Sequence, residues 1–125
     1  MFYDIGSLSL LNLAATAAIT ATGNGTGVDL KDYVGTAAII LDSTVGTGTT
    51  PTSNTKIQDS DDNSTFADVS GAAFAQVTNA GASQQRIALN VDSVRRYIRV
   101  VDTLTGTSPS FTRSVNLLGR KQVFP

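Results

Sequence analysis

The sequence contains no cysteine, no histidine, no tryptophan and no glutamate. Without cysteine there is no disulfide, no thiolate zinc site and no cysteine nucleophile. Without histidine the commonest general base and the commonest metal ligand are missing. Aromatic residues make up only 6% of the chain, and there are three prolines. No run approaches the roughly 20 apolar residues that span a bilayer. The best candidate, residues 8–21, is broken by Ser9, Asn12, Thr16 and Thr20, and it follows Asp4 where a signal peptide would carry a basic leader. The expectation is a soluble chain with no membrane partner.

What is present is threonine and serine. The 125 residues include 17 threonines and 12 serines, together more than all the charged side chains. This length suits one domain of roughly 100–200 residues, large enough for a core without staples. The composition favours strands and turns over helices.

Charge is unevenly distributed. Residues 1–94 hold three basic side chains against nine aspartates, a balance of −6. Residues 95–125 hold six basic side chains against Asp102 alone, a balance of +5. Such asymmetry points to an acidic partner, to nucleic acid, to a membrane surface, or to pairing of arginines with aspartates of the same or a neighbouring subunit. Nucleic acid is disfavoured, because the net charge is −1 and eight aromatic residues give little to stack bases on.

Residues 7–22 alternate loosely and read as an extended arm, with a first strand of the main body as the alternative. Three glycines within residues 23–27 mark a hinge. The domain division is therefore residues 1–27, arm or first strand plus hinge, and residues 28–125, a β-sandwich domain with a short tail. Within the second part, Ala37-Ala38-Ile39-Ile40-Leu41 reads as a strand buried on both faces. Residues 44–54, full of Gly, Thr and Ser with Pro51, read as a surface loop. Ile87, Leu89 and Val91 share one face, as do Ile98 and Val100. Phe111, Val115 and Leu117 do likewise, with Arg113 in their register. Thr105-Gly106-Thr107-Ser108-Pro109 reads as the turn between the last two strands. Seven or eight short strands predict an all-β fold, a single antiparallel sandwich of jelly-roll-like form with an extended N-terminal arm. Ile39 and Ile98 are the expected core residues.

Asp59, Asp61 and Asn63 occupy positions 1, 3 and 5 of a calcium-loop spacing. Position 6 is Ser64 where glycine is needed, and position 12 is Ser70 where a bidentate glutamate belongs. A β-turn built from Asp, Asn and Ser explains the segment better. No metal or other cofactor is expected. Serine and threonine nucleophiles lack an activating base, and neither glycine-rich stretch follows the phosphate-loop pattern. The chain is therefore expected not to be an enzyme and to take no small-molecule substrate. In Arg95-Arg96-Tyr97-Ile98-Arg99, Arg95, Tyr97 and Arg99 share a strand face suited to the carboxylates of a neighbouring subunit. The expected assembly contacts are Arg95, Arg99 and Arg113 together with Leu8, Leu10, Leu11 and Leu13 of the arm.

Two stretches carry a resemblance. Ser60-Asp61-Asp62-Asn63-Ser64-Thr65-Phe66-Ala67-Asp68-Val69 resembles a hairpin of many β-sandwich modules, departing from it at Asp62, where glycine is usual. Arg95-Arg96-Tyr97-Ile98-Arg99-Val100-Val101, followed by Gly106-Thr107-Ser108-Pro109-Ser110-Phe111, resembles the ending of small structural proteins of tailed bacteriophage heads. The resemblance spans about residues 28–121. It implies a capsid decoration, or cement, protein that binds the major capsid protein and copies of itself, as a trimer. The implied location is the virion, assembled in the bacterial cytoplasm. A tail or head–tail connector subunit is the alternative. A carbohydrate-binding sandwich ranks third, since it would need exposed aromatics to stack sugars.

Overall fold

The computed structural model describes residues 8–122. Nine strands make up 71% of it: β1 (Ser9–Ile19), β2 (Gly23–Asn24), β3 (Val28–Asp29), β4 (Tyr33–Ser43), β5 (Thr47–Ser60), β6 (Ala67–Ala73), β7 (Val77–Thr78), β8 (Ser83–Asn90) and β9 (Tyr97–Lys121). A 3-10 turn, Val91–Ser93, is capped by the Asn90 side chain. There is no α-helix among the described residues, so no helix there is long and apolar enough to cross a membrane.

The 25-residue strand β9 is the spine. Residues 9–29 run antiparallel along one edge of it, as β1, β2 and β3 in succession. Residues 33–60 run antiparallel along β9 as β4 and then β5. Asp29 lies opposite Tyr97, at the start of β9, while Tyr33 lies opposite Lys121, at its end. A straight strand of that length would separate those ends by about 80 Å, far more than the few residues from Asp29 to Tyr33 can reach. The spine therefore folds back on itself. The resulting antiparallel sheet, in the order β6-β5-β9-β4-β8, is nearly closed and barrel-like. Gln85 of β8 bridges the gap toward β7: its amide donates to the Ala75 carbonyl (2.9 Å) and its Oε1 accepts from the Ala75 N–H (2.7 Å).

The bend has a local cause. Gly106 (φ 110°) and Ser108 (φ 50°) on β9 face Gly48 (φ 109°) and Thr50 (φ 46°) on β5. Positive-φ residues interrupt the ladder and turn both strands together. The backbones nearly touch there: a Cβ on Gly48 would lie 2.4 Å from the Ser108 carbonyl oxygen.

Two expectations are corrected. Residues 105–109 form no turn between two strands; they are the bend within β9. Residues 44–54 are mostly strand, because β5 begins at Thr47. Pro51, Ser53, Thr55 and Ile57 alternate inward along it, and β-branched threonines fit a pleated ladder well. Thr52 and Thr105 also join hydroxyl to hydroxyl across the two strands. Of the two readings of the N-terminal segment, residues 9–19 take that of a first strand: they are the sheet strand β1, paired with β9 from Ser9 to Ile19. The Gly-rich segment that follows also runs along β9, with the Gly25 N–H donating to the Val100 carbonyl at 2.6 Å. Residues 1–7 of the expected arm lie outside the described residues.

Inward-facing side chains fill the barrel. Ile39, Ile57, Ile98, Val100, Val115 and Leu117 are all fully buried. Each such side chain contributes about 1.5–3 kcal/mol relative to exposure. Ile39 and Ile98 are core residues, as their periodicity predicts.

Candidate interaction surfaces

Three arginines, Arg95, Arg96 and Arg99, gather at the start of β9. Arg95 donates from its backbone N–H (3.1 Å) and Nε (3.0 Å) to the Asp59 carboxylate, and from Nη2 to the Asp59 carbonyl (2.8 Å). Arg96 grips Asp29 with two bonds, at 3.0 and 2.8 Å. The fork geometry matches a carboxylate, and it holds the Asp29 carboxyl below its ordinary value. Arg99 donates twice to Gln58 Oε1 (2.9 and 2.8 Å) and lies 4.1 Å over the Phe66 ring. The acidic body and the basic ending thus meet within one chain.

The turn between β5 and β6 is organised by Asp62. Its carboxylate accepts from the Thr65 and Ser64 N–H groups, both at 2.9 Å, and from the Ser60 hydroxyl at 2.8 Å. These bonds, the Thr65 N–H first among them, hold Asp62 down to about 2. Of the calcium-like trio, Asp59 is engaged by Arg95, Asp61 is exposed, and Asn63 takes a left-handed φ of 59°. Among the described residues no three acidic side chains gather around a common point. Asp62, which the sequence marks only as a departure from the hairpin pattern, is the organiser of this turn, and its signal was the serine two positions on either side, typical of an Asx turn.

The four arm leucines divide by parity. Leu10 stands opposite Leu118, which stands opposite Ala38, which stands opposite Ala88. That row faces outward, and Leu10 is 67% exposed. The neighbouring row, Leu11, Leu117, Ile39 and Ile87, faces inward, and Leu13 is buried. A groove of about 730 Å³ lies by the outward row, lined by Leu8, Val34, Ala38 and Leu118 with Arg86 at its side. Leu8 and Leu10 are thus presented to the outside, whereas Leu13 is core.

Arg113 is placed differently from the surface contact expected of it. It sits on the inner face and binds Asp102 through Nε (3.2 Å) and Nη2 (2.5 Å). The Thr55 hydroxyl also donates to Asp102 (2.8 Å), and Arg113 Nη1 reaches the Ala15 carbonyl (3.3 Å). Arg113 is 9% exposed and Asp102 4%. No side chain so placed can reach a neighbouring subunit. The signal for this pair was in the register: Asp102 is in step with Ile98, Val100 and Leu104, and Arg113 with Phe111, Val115 and Leu117.

No protein-family model matches the chain, and no curated protein matches it in sequence. Solved structures do share its fold. The SPBc2 prophage-derived protein YomS superposes with a TM-score of 0.51 at 8% identity, over 90% of this chain and 93% of that one. The structure of the infectious bursal disease virus Gx strain matches with a TM-score of 0.55 at 10% identity, over 94% of this chain and 33% of the viral one. The VP2 subviral particle of the same virus gives 0.53 at 11% identity, over 89% and 32%. The chain spans about a third of those two viral chains and nearly the whole of the prophage-derived protein. At such identities the likeness is one of fold.

Proposed function

We propose that the protein is a structural component of a phage particle, a decoration or cement protein that binds the assembled capsid and further copies of itself. The observation that carries this reading is the end-to-end fold likeness to a prophage-derived protein of matching extent. The shared fold of the infectious bursal disease virus particle adds to it. In this reading the chain is not an enzyme: its acids serve turns and ion pairs, and the outward row of leucine and alanine supplies contact area. A sugar-binding role is disfavoured, because the half-buried rings of Phe66 and Tyr97 already carry the Arg99 and Arg96 guanidiniums, at 4.1 and 5.1 Å.

Particles purified from cells that carry the gene test the reading, by mass spectrometry and cryo-electron microscopy. The expected result is the chain in stoichiometric amounts, with density on the outer capsid surface. Density at the tail or the head–tail connector would move the assignment there. Absence from every particle fraction would overturn the structural role.

A further inference from the structure

Among the described residues, the strands longer than two residues with an unpaired side are β1, β6 and β8, and they are not equivalent. β8 is closed by Gln85, which makes two bonds to Ala75. β6 carries Asp68, engaged by Lys56 and Gln58, and its register with β5 is broken. The strand β1 has neither device. It pairs with β9 and with no other strand among the described residues. It has eleven residues, none charged and none proline. The uncharged run around it extends from Ile5 to Val28, 24 residues. Proteins ordinarily protect such an edge with charge, proline or a covering segment, because its free N–H and C=O groups accept another strand.

We propose that β1 pairs through this edge with β1 of a second copy, antiparallel about a two-fold axis, joining the two sheets into one. The proposal rests on the reading of the chain as an assembling structural protein. Three observations choose a second copy as the occupant. A partner strand needs a free, uncharged edge of its own, and this chain is known to possess one. Like edges repel when they carry charge, and this one carries none. Its side chains are also complementary to themselves. Face matching requires cross-strand partners of the same parity. A two-fold at Ala14 satisfies this by placing Leu10 opposite Ala18, Leu11 opposite Ala17 and Asn12 opposite Thr16. Each leucine then meets an alanine, and Leu10, exposed in the single chain, is covered. The irregularities of β1, between Asn12 and Ala14 and between Ala14 and Ala17, lie at the axis and leave both flanks regular.

The absence of native cysteine makes the test clean. Leu10→Cys and Ala18→Cys chains are made separately, then oxidised alone and as a mixture. The mixture is expected to form covalent dimers and each single variant is not, since equivalent positions lie on opposite sides of the axis. In sedimentation velocity the wild-type chain shows a monomer–dimer equilibrium, and Ala18→Lys raises its dissociation constant about tenfold or more with an unchanged dichroism spectrum. A wild-type chain that stays monomeric at all concentrations overturns the proposal. So does a dimer indifferent to Ala18→Lys, or a single-cysteine chain that cross-links as well as the mixture. Binding to purified particles is measured in parallel. A monomeric chain that still binds particles overturns β1 pairing and leaves the structural role standing. A β1 dimer absent from particles supports the pairing and removes that role.

Discussion

The start and the interior of β9 treat the same pair of residue types in opposite ways. At its start Arg96 and Asp29 form a two-bond ion pair in which the arginine side chain is 51% exposed. Eleven residues apart on the same spine, Asp102 and Arg113 form another in which the side chains are 5% and 10% exposed. Water screens the first pair, so it contributes little. The second lost its hydration on folding, and its attraction offsets that loss only while every partner is in place. Every buried side-chain polar atom among the described residues has one. Geometry alone does not rank ion pairs; burial does.

Removing one buried partner breaks this comparison most sharply. Asp102→Ala strands the Arg113 guanidinium in the barrel and is expected to cost about 3–5 kcal/mol in urea denaturation. Replacing both, as Asp102→Leu with Arg113→Leu, removes the charge altogether and is expected to recover most of that loss. A double variant as unstable as the single one would show that the pair contributes attraction beyond its desolvation cost.

Next come the neighbours that fill the same interior. Ile98→Ala and Ile39→Ala each open a cavity at a fully buried site and are expected to cost about 2–5 kcal/mol, read as a lowered denaturation midpoint. An unchanged midpoint in both would contradict the inward register of β4 and β9.

These positions also show how much of the fold was legible in the sequence. Alternation revealed the faces of β8 and β9, because hydrophobic side chains at period two leave a direct trace. It failed at residues 44–54, where threonine, serine and proline fill inward positions and no apolar pattern marks the strand. It failed again at residues 105–109, since Gly-Thr-Ser-Pro signals a change of direction without telling a hairpin from a bend. The inward place of Arg113 was visible as register. Its partner was not, because Asp102 and Arg113 meet only after β9 has folded over. The outward place of Leu10 was legible by parity alone, once Leu11 and Leu13 were known to point in.

The bend that brings Asp102 to Arg113 gives an intermediate effect. At Gly106, with φ 110°, a Cβ would lie 2.7 Å from the Thr50 carbonyl oxygen. Gly106→Ala is expected to cost about 1–3 kcal/mol. Gly71 has a similar φ of 78° but nothing within 4 Å, so Gly71→Ala isolates the backbone term from the contact and should cost less. Equal losses in the two variants would mean that the close approach of β5 and β9 contributes nothing.

The smallest effect belongs to the exposed charges, and acid reveals it. With no histidine, glutamate or cysteine, no side chain has an ordinary value between about 4 and 8, so stability should be flat across that range. Below it the lowered carboxyls matter. Asp62 is held down to about 2 from its ordinary 3.8 by the Thr65 N–H, the Ser60 hydroxyl and the Ser64 N–H. Asp29 is lowered chiefly by Arg96, and Asp68 by Gln58 and Lys56. A carboxyl depressed in the folded state binds its proton more readily when unfolded. Its contribution is therefore complete above the ordinary value and disappears as pH falls through the folded one. The thermal midpoint should begin to fall near pH 4 and continue down toward pH 2. Arg96→Ala should barely move the midpoint at pH 7, yet shrink the acid-dependent part, because Asp29 returns toward its ordinary value. Asp62→Asn should flatten the same limb from the other side, since an amide cannot titrate. If both variants keep the full wild-type slope below pH 4, the exposed aspartates are screened so completely that their hydrogen bonds set the shape of the turn and nothing of its stability.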